Sequence, residues 1–287
     1  MQAAVSYLFV PGDRPDRFAK ALASSADRVI LDLEDAVRPD AKATARAAIL
    51  AAPRDPRLVV RINDVASVFF EDDLAFLAKA QPAAVLIPKA ERADTLAAVS
   101  AVLKAELLPQ IETVRGLEAA PELLAHPSVR RAVFGHLDFA LDLGAAPDWD
   151  ALLYARSRLV ALSRLAGAAA PIDSVTTNTS DAEVVEREAR AARSLGFGGK
   201  LLIHPAQIAP VVRAFAPTAT EIDWAHRVMA AVGAGAAGAL TIDGKMIDKP
   251  VELAAQRILS RCQAGLAATE TSDPFVSGKA HGDNPSS

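Results

Sequence analysis

The stretch Val29-Ile30-Leu31-Asp32-Leu33-Glu34-Asp35 is a near-continuous apolar run that ends in three carboxylates. Apolar character without alternation is typical of a strand that is buried on both faces, as in a parallel sheet. Seven further short apolar runs occur, at residues 7–10, 58–62, 84–87, 107–111, 132–134, 171–175 and 201–203. Amphipathic stretches such as residues 40–51, 92–104, 115–124, 149–165 and 182–195 alternate with the runs. Eight alternations predict an α/β fold, a (β/α)₈ TIM barrel, with an open doubly wound sheet as the alternative because periodicity does not show closure.

The pattern changes after the eighth run, so the barrel is expected over residues 1–217. Residues 218–232 look helical, residues 239–247 are typical of a hairpin with Asp243-Gly244 at its turn, and Pro250 suits the start of a last helix. Residues 218–268 are therefore predicted to form an appended C-terminal segment of helices and a hairpin. The remaining residues, 269–287, are rich in Ser, Gly, Asp and Pro and are expected to be disordered.

The composition excludes several classes of protein. The net charge is −4, from 31 basic and 35 acidic side chains, which argues against broad nucleic-acid binding. The single cysteine, Cys262, cannot form a disulfide within the chain and is interpreted as structural. We see neither a signal peptide nor an apolar run approaching the roughly 20 residues of a membrane span, so a soluble cytoplasmic protein without membrane contact is expected.

Polar and charged residues collect at the carboxyl ends of the predicted strands. In a barrel these ends share one rim, where active sites lie. Glu112 follows the fifth run and Asp138 the sixth. Two carboxylates on adjacent strands suit Mg²⁺, which commonly takes one or two carboxylates and completes its octahedron with water and substrate oxygens. The alternative is that both residues cap the helices that follow them, and Asp142 is a competing ligand of lower rank.

Arg61 ends the third run, and its planar guanidinium suits a carboxylate or an enolate oxygen. A structural ion pair with Asp32 or Glu34 is equally compatible with the sequence. Asp32 and Glu34 are predicted to orient metal-bound waters rather than to bind the metal directly, or else to pair with Arg61 and Lys89.

Other residues give weaker evidence of a functional role when each is considered alone. Basic residues near the first two strand ends could meet phosphates or could form a solvated face; they are Arg14, Arg17, Lys20, Lys42 and Arg46. His204 ends the eighth run, a position that favours a structural role over acid/base chemistry. Asp248 looks like a residue at the start of a helix. A Gly-x-Gly-x-x-Gly motif after a strand and a Walker loop are both missing from the sequence, so dinucleotide and nucleoside triphosphate sites lack support.

Several of these stretches together resemble one family. They are LFVPGDRPDRF at residues 8–18, LDLEDAV at 31–37, VRIN at 60–63, IPK at 87–89, IET at 111–113, GHLD at 135–138, LGF at 195–197, GKLLIHP at 199–205 and GKMID at 244–248. In this order they are similar to the citrate lyase beta-subunit-like family, within the HpcH/HpaI aldolase superfamily. The resemblance extends from Leu8 to about Leu259.

The resemblance implies a homotrimeric (β/α)₈ barrel that uses Mg²⁺ and an acyl-CoA or acyl-carrier thioester. Carried over by position, Glu112 and Asp138 would bind Mg²⁺, and Arg61 would hold the α-keto acid and stabilise the enolate. Asp248 would come from a neighbouring subunit and act as an acid/base. We assign the candidate contacts to coenzyme A as Arg14, Lys20, Lys42, Ile203 and His204.

The reaction that we expect from the resemblance is cleavage or formation of a β-hydroxyacyl-CoA such as malyl-CoA or citramalyl-CoA, with acetyl-CoA and an α-keto acid as the other partners. The alternatives are an aldolase of free hydroxy-keto acids, a citrate lyase beta subunit acting on a citryl-acyl-carrier thioester, and a CoA-binding protein with weak activity. One departure from the family is Leu137, where many relatives carry an acidic residue just before the metal-binding Asp. It puts in doubt the substrate more than the activity.

Overall fold

The computed structural model describes residues 4–233, 241–242 and 245–270, and their backbone divides into two compact units. One unit is Ala4–Phe215, and the second contains the described residues that follow it. The turn predicted at residues 243–244 and the tail after residue 270 lie outside the described residues. Among the helices of the described part, none is long and apolar enough to cross a membrane.

The first unit is a closed barrel of eight parallel strands in sequence order. The strands are β1 (Ser6–Pro11), β2 (Arg28–Asp32), β3 (Leu58–Arg61), β4 (Ala84–Ile87), β5 (Glu106–Ile111), β6 (Val133–Phe134), β7 (Ile172–Asp173) and β8 (Gly199–Leu202). Closure is direct, because β1 pairs with β8 in the register Ser6↔Lys200. The predicted (β/α)₈ barrel is therefore confirmed, and the open sheet was the wrong alternative.

Helices follow every strand. They are α1 (Pro15–Leu22), α2 (Lys42–Ala51), α3 (Phe70–Ala80), α4 (Ala93–Val102), α5 (Val114–Leu124), α6 (His136–Leu143), α7 (Leu153–Leu165), α8 (Ala182–Leu195) and α9 (Ile208–Phe215). Alternate residues of each strand point to opposite faces, so that Ile30 packs inside the barrel with Val59 and Leu86. Val29 and Leu31 belong to the second apolar layer, between the strands and the helices. Burial on both faces explains why the strands appear as unbroken apolar runs in the sequence.

Strand β7 is shorter than the predicted run of residues 171–175, and this difference has a local cause. The chain leaves the ladder after Asp173, and the carbonyl of Ser174 accepts a hydrogen bond from the Lys200 ammonium, 2.8 Å away, instead of a strand amide. The side chain of Ser174 is thereby placed at the rim, where it is 3% exposed.

The second unit consists of α10 (Ala219–Gly233), the short antiparallel strands β9 (Thr241–Ile242) and β10 (Lys245–Met246), and α11 (Lys249–Glu270). The two helices pack through a small apolar cluster that contains Ala225, Val228 and Ala255. The strands of the predicted hairpin are present, paired as Lys245↔Ile242 and Met246↔Thr241. Pro250 is the second residue of α11, a position where its missing N–H costs no helical hydrogen bond.

Candidate active site

A cavity of about 830 Å³ opens at the carboxyl ends of the barrel strands. It collects residues from β1, β2, β3, β5 and β8 and from the segments that follow β6 and β7, which lie far apart in the sequence. Seven of the predicted site residues line it: Lys20, Asp32, Arg61, Glu112, Asp138, Ile203 and His204. The placement follows from the parallel barrel, because all strands end at the same rim.

Glu112 lies at the floor of the cavity and is only 2% exposed. One carboxylate oxygen accepts the backbone N–H of Lys89 at 3.0 Å, and the other accepts the side-chain amide of Gln110. Burial, reinforced by the charge of Glu34, raises the pKa of Glu112 to about 8 against the attraction of Arg61. The Asp138 carboxylate acts in the same direction. The two acids are therefore close enough to repel each other when both are ionised.

The backbone beside Glu112 is built around this carboxylate. A Cβ atom on Gly135 would lie 2.5 Å from Glu112 Oε1 and 2.5 Å from its Cγ. Any side chain at this position would therefore displace Glu112, so only glycine lets β6 pass so close to it.

Neither acid has the helix-capping role that the sequence also allowed. Thr113 is the N-cap of α5, its Oγ1 accepting the amide of Gly116, whereas Gly135 precedes α6 and Asp138 lies in its first turn, half-buried. Asp142, the competing ligand, accepts the backbone N–H of Val114 at 2.7 Å and does not line the cavity.

Glu112 and Asp138 suit a hard divalent cation that takes only two ligands from the protein. A buried carboxylate with a raised pKa beside a second carboxylate is stabilised in its ionised form by a cation. Within the described residues, the structure has no cluster of three or more His, Cys, Asp or Glu residues that could hold a metal ion. Two carboxylates with an open cavity in front of them suit Mg²⁺, which keeps several waters or substrate oxygens.

Arg61 is held by carboxylates on β2 and on the loop that follows it. Its Nε and Nη2 donate to the two oxygens of Asp32 at 2.7 and 2.6 Å, and Nη1 lies 2.8 Å from Glu34 Oε2. The guanidinium also lies over the ring of Phe9, 4.8 Å from its centre. Burial alone would lower the pKa of Arg61, but Asp32 together with Glu34 and Glu112 outweighs burial and raises the pKa. Arg61 thus remains charged, and part of its five-donor capacity remains for a ligand in the cavity.

Asp32 and Glu34 therefore form the ion pairs that the sequence allowed as the alternative. Asp32 pairs with Arg61, and Glu34 bridges Arg61 and Lys89, whose Nζ is 3.0 Å from Glu34 Oε1. Asp32 lines the cavity and Glu34 does not. Both acids thereby position Arg61 and Lys89, and their role toward metal-bound waters stays a prediction.

Lys89 has a backbone conformation that the sequence does not reveal. Its φ is 44°, in the left-handed region that a non-glycine residue rarely adopts. The conformation directs its N–H at Glu112 and its ammonium at Glu34. A strained backbone conformation of this kind persists only where the surrounding structure holds it in place, and such positions are often found at functional sites.

Two of the predicted coenzyme A contacts are engaged with other residues in this structure. Lys42 is buried, and its Nζ donates to the carbonyls of Leu33 and Glu34 and to Asn63 Oδ1 at 2.6 to 2.7 Å, so its ammonium is occupied inside the fold. Arg14 is turned toward Asp16, with which it forms a two-pronged ion pair, and it does not line the cavity.

The remaining predicted contacts stay at the cavity mouth. Lys20 is exposed, Ile203 is 42% exposed, and His204 is exposed with its Nδ1 accepting the N–H of Ala206 at 3.2 Å. Arg17, one turn before Lys20 on α1, also lines the mouth and was not among the assigned contacts.

Asp248 belongs to the second unit and is exposed. Its Oδ1 accepts the N–H of Val251 at 3.1 Å, which makes it the N-terminal cap of α11. The sequence pattern alone indicated this helix-entry role.

Sequence reasoning missed a pair on the wall of the cavity. His136 and Ser174 both line it, and His136 Nδ1 is 2.6 Å from Ser174 Oγ. Burial, with Arg156 and Lys200 nearby, lowers the pKa of His136 to about 4. The only signal in the sequence was their place at the carboxyl ends of two predicted strands, with His136 just after the run at 132–134 and Ser174 near the end of the run at 171–175.

The closed barrel, with a cluster of acidic and basic side chains at the carboxyl ends of its strands, places this protein in the class of TIM-barrel enzymes. Residues 5–205 match the HpcH/HpaI aldolase/citrate lyase family, and the chain belongs to that family. It is therefore a carbon–carbon lyase of the aldolase type.

The relatives agree with this assignment. The chain is 38% identical over 274 residues to the citrate lyase subunit beta-like protein of Deinococcus radiodurans, covering 89% of this chain and 96% of that one. It is 34% identical over 269 residues to the (3S)-malyl-CoA thioesterase of Cereibacter sphaeroides, with coverage of 90% and 94%. The structure is similar to the CitE protein of Mycobacterium tuberculosis in complex with magnesium, acetoacetate and coenzyme A. That similarity has a TM-score of 0.82 at 36% identity and covers 92% of this chain and all of that one.

Proposed function

We propose that this protein is a Mg²⁺-dependent lyase that cleaves, or forms, a β-hydroxyacyl-CoA thioester such as malyl-CoA or citramalyl-CoA. The products of cleavage are acetyl-CoA and an α-keto acid. The observation that carries the proposal is the meeting of Glu112, Asp138 and Arg61 in one cavity of the barrel rim.

Glu112 and Asp138 are the proposed metal ligands. A bound Mg²⁺ supplies Lewis acidity and a template for the oxygens of the substrate. Glu112 holds its oxygens in place through Lys89 and Gln110. These contacts limit the reorganisation that metal binding requires.

Arg61 is the proposed electrostatic catalyst. Cleavage of the carbon–carbon bond leaves negative charge on the thioester enolate, and a preorganised guanidinium stabilises charge at the place where it develops. Asp32 and Glu34 fix the orientation of Arg61 before the substrate arrives, as their distances of 2.6 to 2.8 Å indicate.

Asp248 is the proposed acid/base, contributed by a neighbouring subunit of a homotrimer. A carboxylate is needed to remove the hydroxyl proton in cleavage, or a methyl proton of acetyl-CoA in the reverse direction. The support is the family resemblance of residues 244–248 together with the exposure of Asp248, which leaves it accessible to another molecule.

Coenzyme A is proposed to bind at the mouth formed by α1 and the end of β8. Lys20 and Arg17 supply positive charge for phosphates, while Ile203 offers apolar surface. The solved structure of the Mycobacterium tuberculosis protein in complex with coenzyme A supports a thioester substrate rather than a free hydroxy-keto acid.

The test is the release of acetyl-CoA from malyl-CoA and citramalyl-CoA by the purified full chain, with Mg²⁺ and with a chelator. Glu112→Gln should abolish metal-dependent cleavage, whereas Glu122→Gln, the same change at an exposed residue of α5, should not alter it. Free CoA should be measured beside acetyl-CoA, since a relative is a malyl-CoA thioesterase. Turnover without a metal requirement would contradict the proposed mechanism.

A citrate lyase beta subunit is the second candidate, because the chain is 33% identical over 281 residues to that subunit of Leuconostoc mesenteroides. In that case the thioester is carried by an acyl-carrier protein. Cleavage of a citryl-acyl-carrier thioester but of neither CoA ester would favour this candidate. Tight CoA binding without turnover on any thioester would instead favour a binding protein.

A further inference from the structure

Within the described residues, the His136 imidazole forms its side-chain hydrogen bond on the wall of the cavity with one neighbour, Ser174. His136 is the first residue of α6 and Ser174 follows β7, and they are 7% and 3% exposed. Ser174 Oγ accepts the backbone N–H of His136 at 3.0 Å and lies 2.6 Å from Nδ1 of the same residue. Both the position and the rotation of the ring are therefore set by one hydroxyl group.

The same contacts select the tautomer of the ring. A serine hydroxyl has one hydrogen, and one of its lone pairs is already used by the His136 amide. Among the residues that the structure describes, Ser174 Oγ has no acceptor other than His136 Nδ1. The tautomer with its proton on Nε2 is favoured, because only that form gives the hydroxyl hydrogen an acceptor among these residues, whereas a protonated Nδ1 would donate to Oγ instead.

Behind this pair lies a buried cluster with more positive than negative groups. Lys200 Nζ donates to Asp173 Oδ2 and to the carbonyl of Ser174, both at 2.8 Å, and Arg156 Nε contacts Asp173 Oδ1 at 3.1 Å. Two cations thus share one carboxylate. The cluster anchors Ser174 and makes the wall in front of it favourable to an anion.

We propose that His136 donates a hydrogen bond from Nε2 to the carboxylate of the α-keto acid, and that Ser174 is its positioning residue. The inference rests on the proposed function and names a group that recognises one of the two products. His136 and the proposed ligand Asp138 both line the cavity, so a keto acid bound at the metal occupies the space that the ring borders. A carboxylate is both a hydrogen-bond acceptor and an anion, which is what the donor and the positive wall require.

Kinetics in the condensation direction separate the two halves of the substrate. His136→Phe keeps a ring and removes the donor, so the KM for pyruvate or glyoxylate should rise about 10- to 100-fold, the loss of a hydrogen bond to a charged group. The KM for acetyl-CoA and the affinity for Mg²⁺ should change less than twofold. His136→Gln, which keeps an N–H donor, and Ser174→Thr, which keeps the hydroxyl, should recover part of the effect that His136→Phe and Ser174→Ala produce. Equal rises in both KM values, or none for the keto acid, would overturn the proposal.

A second measurement does not depend on turnover or on a change to His136 or Ser174. In full chain labelled with ¹⁵N-histidine, the His136 resonances should report a protonated Nε2 and an unprotonated Nδ1. Pyruvate added with Mg²⁺ should shift Nε2, and His204→Gln, a change at an exposed histidine of the same cavity, should leave both signals in place. A protonated Nδ1, or an Nε2 signal that no keto acid perturbs, refutes the inference even if the enzyme is active. An inactive enzyme whose Nε2 responds to pyruvate would refute the lyase proposal alone.

Discussion

Replacing Glu112 by Gln should remove a pH dependence of stability that the metal-free protein carries. The pKa of Glu112 is raised from its ordinary value of 4.5 to about 8, with burial as the largest cause. A carboxyl whose pKa is higher in the folded than in the unfolded state stabilises the fold below the unfolded pKa. That stabilisation is lost as the pH rises toward the folded pKa.

The magnitude follows from the shift. Each unit of pKa difference corresponds to about 1.4 kcal/mol, so between pH 5 and pH 8 the metal-free protein should lose roughly 4 kcal/mol from this group. Mg²⁺ binds the ionised carboxylate and should reverse this loss, and its binding should release a proton at pH 7. His136 affects stability at lower pH, because its pKa is lowered to about 4. Its contribution to the free energy of unfolding is lost as the pH falls from about 6.5 toward 4.

The assay is urea unfolding at a series of pH values, in chelator and in Mg²⁺, for the wild type and Glu112→Gln. The difference between the two proteins isolates Glu112 from other titrating groups. In chelator, the wild type should lose stability relative to Glu112→Gln as the pH rises from 5 to 8, and in saturating Mg²⁺ this relative loss should disappear. Parallel curves in chelator would refute the reasoning, as would a wild type that gains stability over this range.

Gly135→Ala should weaken Mg²⁺ binding at least tenfold in calorimetry with little change in fold, because the new Cβ would lie 2.5 Å from Glu112 Oε1; unchanged affinity would show that Glu112 is not a ligand. Lys42→Met should destabilise the protein by about 3 kcal/mol, since it leaves three buried acceptors unpaired, yet keep the KM for the thioester. Lys20→Ala should do the reverse, with a KM about 3- to 10-fold higher at low salt and an effect that fades as salt screens the phosphates. Mixing and reassembling inactive Glu112→Gln and Asp248→Asn subunits should restore activity if each site draws on two subunits, whereas persistent inactivity would place both residues in one subunit's site.

The barrel was predictable because each strand is buried on both faces. Such strands appear as apolar runs without alternation, and their ends could be located to within about two residues at β2, β4 and β5. The end of β7 could not be predicted, because it depends on Lys200, which is 27 residues beyond Asp173 in the sequence and takes the carbonyl of Ser174 out of the ladder.

The site was predictable only in part, for a physical reason. Residue type and strand-end position suggested Glu112, Asp138 and Arg61, since a barrel brings all strand ends to one rim. Whether a charged side chain points into the cavity or into the protein interior depends on hydrogen-bond partners that are distant in the sequence. Lys42 and Lys20 are equally basic in the sequence, but three acceptors from the loops that follow β2 and β3 retain Lys42 inside the fold. In the part of the chain that the structure describes, no contact of this kind retains Lys20.

The balance of charge at the rim connects the fold to the proposed metal. Five carboxylates and two cations of the described residues meet at the carboxyl ends of β2 to β6: Asp32, Glu34, Asp35, Glu112, Asp138, Arg61 and Lys89. Among the described residues, the side chains of both cations pair with Asp32, Glu34 or Asp35, and neither forms an ion pair with Glu112 or Asp138. Without a metal, the protein meets this excess by keeping a proton on Glu112 at neutral pH, as its raised pKa indicates. A divalent cation would replace that proton and balance both acids at once, so the same excess of negative charge that destabilises the metal-free barrel gives the site its affinity for Mg²⁺.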